Sequence, residues 1–375
     1  MLRLRAGLAA ATVHRRRLRR VTFIGVTGSC GKTTTKELIA AALRSELRGR
    51  ASPAEGNGLA VVAKTVLRTT NRDRFCVIEV AASQPGVVAR TARLIRPRIA
   101  VVTHVGTDHR AIYRTLDATA AEKRSLLAAV GERGAGVLNA DDPHVLAMAQ
   151  GFRGGVVTFG RSPGAVLRAE DVRSPWPEPM SFTLRSGERS LPVRTRLHGK
   201  HWVSSVLAAL GVALAMEVPL ERSIEALATV PPTPGRMSPV SYGGVTFVCD
   251  YVKAPLWTFD AVFEFLADAR ATRKIIVIGT ISDYPGSSST KYVAVARRAL
   301  GVADEVVFAG PHARHALRAK SPSSPLRAFP TVSEAAEHLR ANARAGDLVL
   351  LKGSERTDKL RQAVFGSPAS AWNAK

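Results

Sequence analysis

The sequence predicts an α/β protein of two domains, a larger P-loop domain on a mostly parallel sheet and then a smaller Rossmann-like α/β domain. Three observations predict it. From residue 21 onward, short apolar runs alternate with alanine- and leucine-rich stretches of helical length, the pattern of a parallel sheet covered by helices. The stretch "FIGVTGSCGKTTTKE", residues 23–37, places a glycine-rich, lysine-tipped loop between the first such run and its helix. Lastly "VPPTPGRM", residues 230–237, interrupts the alternation, which then restarts.

The first 20 residues are expected to form a basic N-terminal arm. They hold "HRRRLRR" at residues 14–20, and no acidic residue precedes Glu37. Such a segment reads as a solvated helix covering the first domain, with anionic membrane-surface association as the alternative. The whole chain carries a formal net charge of +24, but its arginines are spread along the sequence. No zinc finger, RNP-type strand or helix-turn-helix accompanies them, so no specific nucleic-acid partner is expected. The charge does suit anionic substrates, which a positive cleft concentrates. Cys30, Cys76 and Cys249 lie far apart with no CxxC spacing, so a reduced, cytoplasmic state fits better than a disulfide framework.

The first domain is expected over residues 21–237. Its strand candidates are "VTFIGVTG", "RFCVIEVAA", "RIAVVTHVG", "GAGVLNA" and "GGVVTFG". The loop after the first reads TGxxGKT, a variant of the phosphate-binding pattern. Backbone N–H groups of Gly28, Ser29, Cys30 and Gly31 can converge on an anion because glycine tolerates the dihedrals required. Lys32 adds charge for the β- and γ-phosphates, Thr33 a hydroxyl for Mg²⁺, and Thr34 continues the helix start. An ATPase-type domain follows from that loop. Glu79 ends a strand whose burial makes an unpartnered carboxylate costly, so a metal or a basic partner is expected there. Residues 160–198, rich in Pro, Arg and Ser, read as a small β insertion, and "WVSSVLAALGVALAM" as a packed helix. The second domain is expected over residues 238–375, with strands at "VTFVCDYV", "KIIVIGT", "EVVFAG" and "DLVLLKG". Its Gly/Ser-rich "GTISDYPGSSST" sits where α/β sheets bind ligands.

In chain order, "GVTGSCGKTTTKE", "VIEVAASQPG", "RPRIAVVTHVGTDH", "AEKRSLL", "VLNADDP", "PTPGRM", "CDYVKAP" and "GDLVLLKGSE" together resemble the Mur ligase family, the ATP-dependent amide-forming enzymes of peptidoglycan synthesis and their relatives. The resemblance covers nearly all of the chain after residue 20. It implies ATP held at residues 28–34 and magnesium held by Thr33 and Glu79. His109 would stand on the metal side, and Lys123 matches a lysine that is carbamylated in many members. It implies nucleotide contacts from Arg236, in the linker, and from Asp250 and Lys253. The catalytic set would be Lys32, Glu79, His109 and Lys123. The implied reaction moves the γ-phosphoryl of ATP onto a carboxylate, and an amine then attacks the acyl phosphate.

The sequence also departs from the family. The phosphate loop begins at residue 25, leaving no room for the N-terminal domain that grips a uridine nucleotide, so a small or carrier-linked carboxylate is expected, with recognition from a partner protein as one source of affinity. "GKHWVSS" keeps His201 but has Trp202 and Ser205 where the family has asparagines that touch the nucleotide, so Trp202 either stacks on a base or packs. Lys253 replaces histidine or asparagine, and Ser238 replaces a common glutamate. These changes leave a second reading, a catalytically decayed nucleotide-binding scaffold. A simple P-loop kinase or GTPase is weaker, since no N-K-x-D follows and the second domain would have no role.

Overall fold

The computed structural model describes residues 2–53, 56–108 and 110–366, with side chains from residue 4. The chain forms two compact units. The first gathers residues 1–173, 181–196 and 201–230; the second gathers residues 174–180, 197–200 and Pro231 onward.

In the first unit α1 (Leu2–Arg17) leads into β1 (Thr22–Thr27), α2 (Lys32–Arg44), β2 (Gly49–Ala51), α3 (Leu59–Arg68), β3 (Phe75–Glu79), α4 (Val87–Ile95) and β4 (Ile99–Val102). Then come α5 (Arg110–Tyr113), α6 (Leu116–Leu127), β5 (Ala135–Asn139), α7 (Pro143–Leu146) and β6 (Gly155–Gly160). The sheet runs β2-β3-β1-β4-β5-β6, every neighbour parallel. β1, β3 and β4 are almost wholly buried, as a parallel sheet covered on both faces requires, and so they read as unbroken apolar runs. Because all these strands point one way, their C-terminal ends gather the loops that carry chemistry, while their N-terminal ends form the opposite edge.

The proline- and arginine-rich stretch after β6 is not a separate insertion. β7 (Leu167–Arg173) pairs parallel with β6, and β8 (Ser181–Ser186) and β9 (Arg189–Arg194) continue antiparallel, so one sheet extends through all of them. The reason is a shared apolar face: Leu167, Ala169, Phe182, Leu184 and Val193 are all buried. α8 (Val203–Ala215) and α9 (Leu220–Leu227) close the unit, α8 packing on α2 and on the sheet.

α1 is docked on the unit. It packs against α3 and α4, His14 Nε2 meets Thr69 O at 2.8 Å, and the Arg15 guanidinium lies 4.1 Å over the Phe23 ring. Arg15 donates to the Ile95 carbonyl at 2.5 Å and to Arg96 O at 2.9 Å. Burial, with Arg96 nearby, pulls its pKa down to about 10. Among the described residues no helix is long and apolar enough to cross a membrane.

The second unit opens with the antiparallel pair β10 (Ser238–Tyr242) and β11 (Val245–Asp250). It continues through α10 (Phe259–Asp268), β12 (Arg273–Ile278), α11 (Ser288–Leu300), β13 (Glu305–Ala309), β14 (Leu326–Phe329), α12 (Val332–Asn342), β15 (Asp347–Lys352), α13 (Glu355–Asp358) and α14 (Leu360–Phe365). Its sheet runs β10-β11-β15-β12-β13-β14, parallel after the first pair. Arg273 pairs with Asp347 at 3.1 Å and also with Glu305, fastening the N-terminal ends of three strands.

Candidate active site

The site grows from the end of β1. Gly28 has φ of +151°, and a Cβ there would lie 1.9 Å from Thr103 Oγ1, so only glycine lets the loop pass β4. Gly31, at φ +74°, turns the chain into α2. Two further contacts hold the loop: Ser29 N donates to His104 O at 2.7 Å, and Thr103 Oγ1 to Cys30 O at 2.7 Å. Lys32 Nζ donates to Gly28 O at 2.6 Å, which keeps the ammonium across the loop it would share with a phosphate. Thr34 Oγ1 is buried and has no hydrogen-bond partner among the described residues. Burial pushes the Cys30 thiol up to about 11, so it stays protonated and inert at neutral pH.

Glu79, at the end of β3, is 5% exposed. Its Oε2 accepts from Thr33 Oγ1 at 2.8 Å and its Oε1 from Asn57 Nδ2 at 3.0 Å. Among the described residues no lysine or arginine pairs with it. A buried carboxylate with only neutral donors is electrostatically incomplete, and a cation resolves that. The donor set is all oxygen on the side facing Thr33, which suits Mg²⁺. No three His, Cys, Asp or Glu side chains gather into a metal cluster among the described residues. A magnesium ion commonly keeps waters and substrate phosphates beside one or two carboxylates, so these residues fit it.

Behind Glu79 lies a scaffold the sequence did not disclose. Lys36, fully buried on α2, donates to Ser52 O at 2.6 Å and Pro53 O at 2.8 Å. Ser52 Oγ in turn accepts from Glu79 N at 3.1 Å. Nothing in the spacing "KTTTKE" marks Lys36 as inward, because a helix lysine beside a glutamate ordinarily faces solvent.

Lys123, on α6, is fully buried, and its Nζ lies 3.5 Å from both oxygens of Asp108. Burial pulls its pKa down to about 8 against the raising effect of Asp108. Asp108 also accepts from Ser29 Oγ at 2.5 Å, which ties the lysine's partner to the phosphate loop. His109 lies outside the described residues. Within "VLNADDP", at the end of β5, Asn139 and Asp142 hold the loop after β4: Asn139 Nδ2 donates to Thr103 O at 2.8 Å, and Val105 N to Asp142 Oδ2 at 2.8 Å. His104 Nδ1 lies 2.7 Å from Asp142. Burial works against ionisation of Asp142, but the hydrogen bonds from His104, Val105 and Val145 hold its pKa below the usual carboxylate value.

Trp202 is 8% exposed, with its ring 4.6 Å from His201, so it packs at the start of α8. Ser205, three residues on, stands close to Gly31, where a Cβ would meet its Oγ at 3.2 Å.

The remaining expected residues belong to the second unit. Asp250 ends β11 and pairs with Lys352 at 2.6 Å, and Lys352 Nζ also donates to Lys253 O at 3.2 Å. Arg236 closes a turn, its N–H donating to Thr233 O at 3.0 Å, while Ser238 Oγ accepts from Gly235 N at 2.9 Å. The Gly279–Ser289 loop is anchored by Asp358, which accepts from Thr280 N at 2.9 Å and Ser354 N at 2.7 Å.

Comparison with known proteins adds an independent finding. The family model described as "Mur ligase middle domain" matches residues 26–213, and "Mur ligase, glutamate ligase domain" matches residues 235–355. The UDP-N-acetylmuramoyl-tripeptide–D-alanyl-D-alanine ligase of Mycobacterium tuberculosis is 33% identical over 295 residues, covering 75% of this chain and 56% of that protein. The Mycobacterium leprae protein of the same name is 30% identical over 371 residues, covering 89% and 71%. The match thus spans little more than half the length of the first of these relatives. Among solved structures, MurF from Acinetobacter baumannii superposes with a TM-score of 0.87 at 22% identity, covering 97% of this chain and 81% of that one. MurF ligase from Thermotoga maritima in complex with ADP gives 0.85 at 22% identity, covering 98% and 84%.

Proposed function

The chain belongs to the Mur ligase family, and from that premise we propose that it is an ATP-dependent C–N ligase. It activates a carboxylate as an acyl phosphate and releases ADP and phosphate when an amine attacks. The observation that carries the reading is the Thr33–Glu79 contact at the head of the phosphate loop, a buried carboxylate that no lysine or arginine among the described residues pairs with.

The residues divide the work. Backbone N–H groups of residues 28–34 cradle the phosphates at the N-terminus of α2. Lys32 supplies fixed charge to the phosphoryl group in transit. Thr33 Oγ1 and the Glu79 carboxylate are the residues that would hold Mg²⁺, which when bound neutralises phosphate charge. Lys123 has a second task in this reading. A buried amine whose pKa is lowered from 10.5 to about 8 is still mostly protonated at neutral pH, but it keeps a minor neutral fraction that the ordinary value would make negligible. Neutral amine and CO₂ combine into a carbamate with release of one proton. That carbamate would stand near the Asp108 carboxylate, and a bound cation would offset the two negative charges. In the second unit, Asp250 and Lys253, with Arg236 from the linker, are assigned to the nucleotide and the acid.

The relatives' names give a UDP-linked muramoyl tripeptide as the acid and D-alanyl-D-alanine as the amine; for this chain the acid is taken more broadly, as a small or carrier-linked carboxylate. The test is ADP release with pooled acids, that UDP-muramoyl tripeptide included, followed by addition of amino acids and dipeptides. Acid-dependent turnover that rises further with one amine is expected. Nucleotide binding without turnover in any acid would overturn the ligase reading and favour a scaffold.

A further inference from the structure

The edge of the first unit opposite the phosphate loop carries an arginine before each of six successive strands. In sheet order these are Arg48 before β2, Arg74 before β3, Arg20 before β1, Arg98 before β4, Arg133 before β5 and Arg153 before β6. Backbone pairing fixes them as neighbours: Arg74 N donates to Arg48 O at 2.7 Å, Thr22 N to Arg74 O at 2.9 Å, and Ala135 N to Arg98 O at 2.9 Å. All six side chains are exposed. Among the described residues only Arg153 has a carboxylate partner, Glu132 at 3.2 Å. With neighbouring strands about 4.8 Å apart, the row spans roughly 24 Å. Like charges held so close repel, and among the described residues no ion pair offsets five of them. An anionic surface does so.

We propose that this edge docks the protein on an anionic lipid surface. A row along a sheet edge matches an extended plane of negative charge, to which each arginine near the surface adds about fivefold in binding. α1 has no acidic side chain, and at its C-terminal end, where His14 meets Thr69 after α3, Val13 and Leu67 are exposed at 51% and 42%. Apolar side chains next to a basic row suit an interfacial contact. Among the exposed large hydrophobic side chains of the described residues none is aromatic, whereas single-stranded nucleic acid binders stack bases on exposed aromatic rings. The row lies at the strands' N-terminal ends, so docking leaves the phosphate loop at the other ends uncovered. This inference goes beyond the ligase chemistry and does not depend on it.

The test is co-sedimentation of the full chain with vesicles of phosphatidylcholine alone or mixed with phosphatidylglycerol. Binding is expected only to the mixed vesicles, and it should fall as salt rises. Arg48→Glu, Arg74→Glu, Arg98→Glu and Arg133→Glu combined should lower partitioning on the order of a hundredfold or more, with ATP turnover unchanged. A control changes the same charge elsewhere on this unit, at exposed Arg161, Arg173, Arg194 and Arg196. Equal losses in both variants would show bulk charge alone and overturn the proposal. Tighter binding of duplex DNA than of mixed vesicles, lost in the row variant, would overturn it in favour of a nucleic acid. If the glutamate row lowers the melting temperature, the glutamine row replaces it, with a smaller loss of vesicle binding expected and no loss counting against the proposal.

Discussion

Thr33 Oγ1 donates a 2.8 Å hydrogen bond to Glu79 Oε2, joining the first turn of α2 to the end of β3. This contact sets the distance between the phosphate loop and the buried carboxylate. Glu79→Gln removes the charge and keeps the shape, so the fold should persist while ATP turnover falls on the order of a hundredfold or more. Steady-state ADP release, together with circular dichroism, checks both parts. Turnover near the wild-type rate would remove Glu79 from the catalytic set.

Lys123 and Asp108 make the pH dependence specific. Burial holds the lysine near pKa 8, below its ordinary 10.5, so its stabilising effect is full above the unfolded value and is lost as pH falls through about 8. Lys123→Met should therefore melt no lower than wild type at pH 7 and yet lose turnover. With limiting bicarbonate, wild-type activity should rise with pH through about 8, and added bicarbonate should move that rise to lower pH. A profile unmoved by bicarbonate would exclude a carbamate.

Lys36 acts on Glu79 only through Ser52 and the segment that follows it. Lys36→Met leaves the buried Ser52 carbonyl without its donor, a loss of about 1–3 kcal/mol, and also removes the contacts to the more exposed Pro53 carbonyl and to Glu37. The melting temperature should drop, and kcat should fall more than the KM for ATP rises, because the phosphate loop itself is untouched. A rise in KM alone would place Lys36 in ATP binding.

Asp142 is held in its charged form by the loop it caps. Its folded pKa lies below the ordinary 3.8, so its contribution is present above that value and is lost as pH falls through the folded one. Asp142→Asn should lower stability at neutral pH and flatten the acid limb of the unfolding curve. An acid limb as steep as that of the wild type would assign it to other carboxylates.

The sequence by itself determined the fold class, the glycine-rich loop between β1 and α2, and the position of Glu79 at a strand end. Each is written locally: apolar runs of strand length, glycines where the backbone must take positive φ, and a carboxylate closing a buried strand. The proline run at residues 230–237 interrupts any continuing helix or strand, which is why the sequence reads as a boundary there. Tertiary structure decided what local pattern cannot carry. The strands β7, β8 and β9 became part of the main sheet because their buried face continues that of β6. Lys36 and Lys123 look alike in sequence, as lysines beside glutamates on helices, and both turned inward. Burial, set by which face of each helix meets the sheet, gives one two carbonyls to hold and leaves the other at 3.5 Å from a carboxylate. The arginine row has the same origin. Its members are separated along the chain, and only parallel pairing in the order β2-β3-β1-β4-β5-β6 sets them side by side.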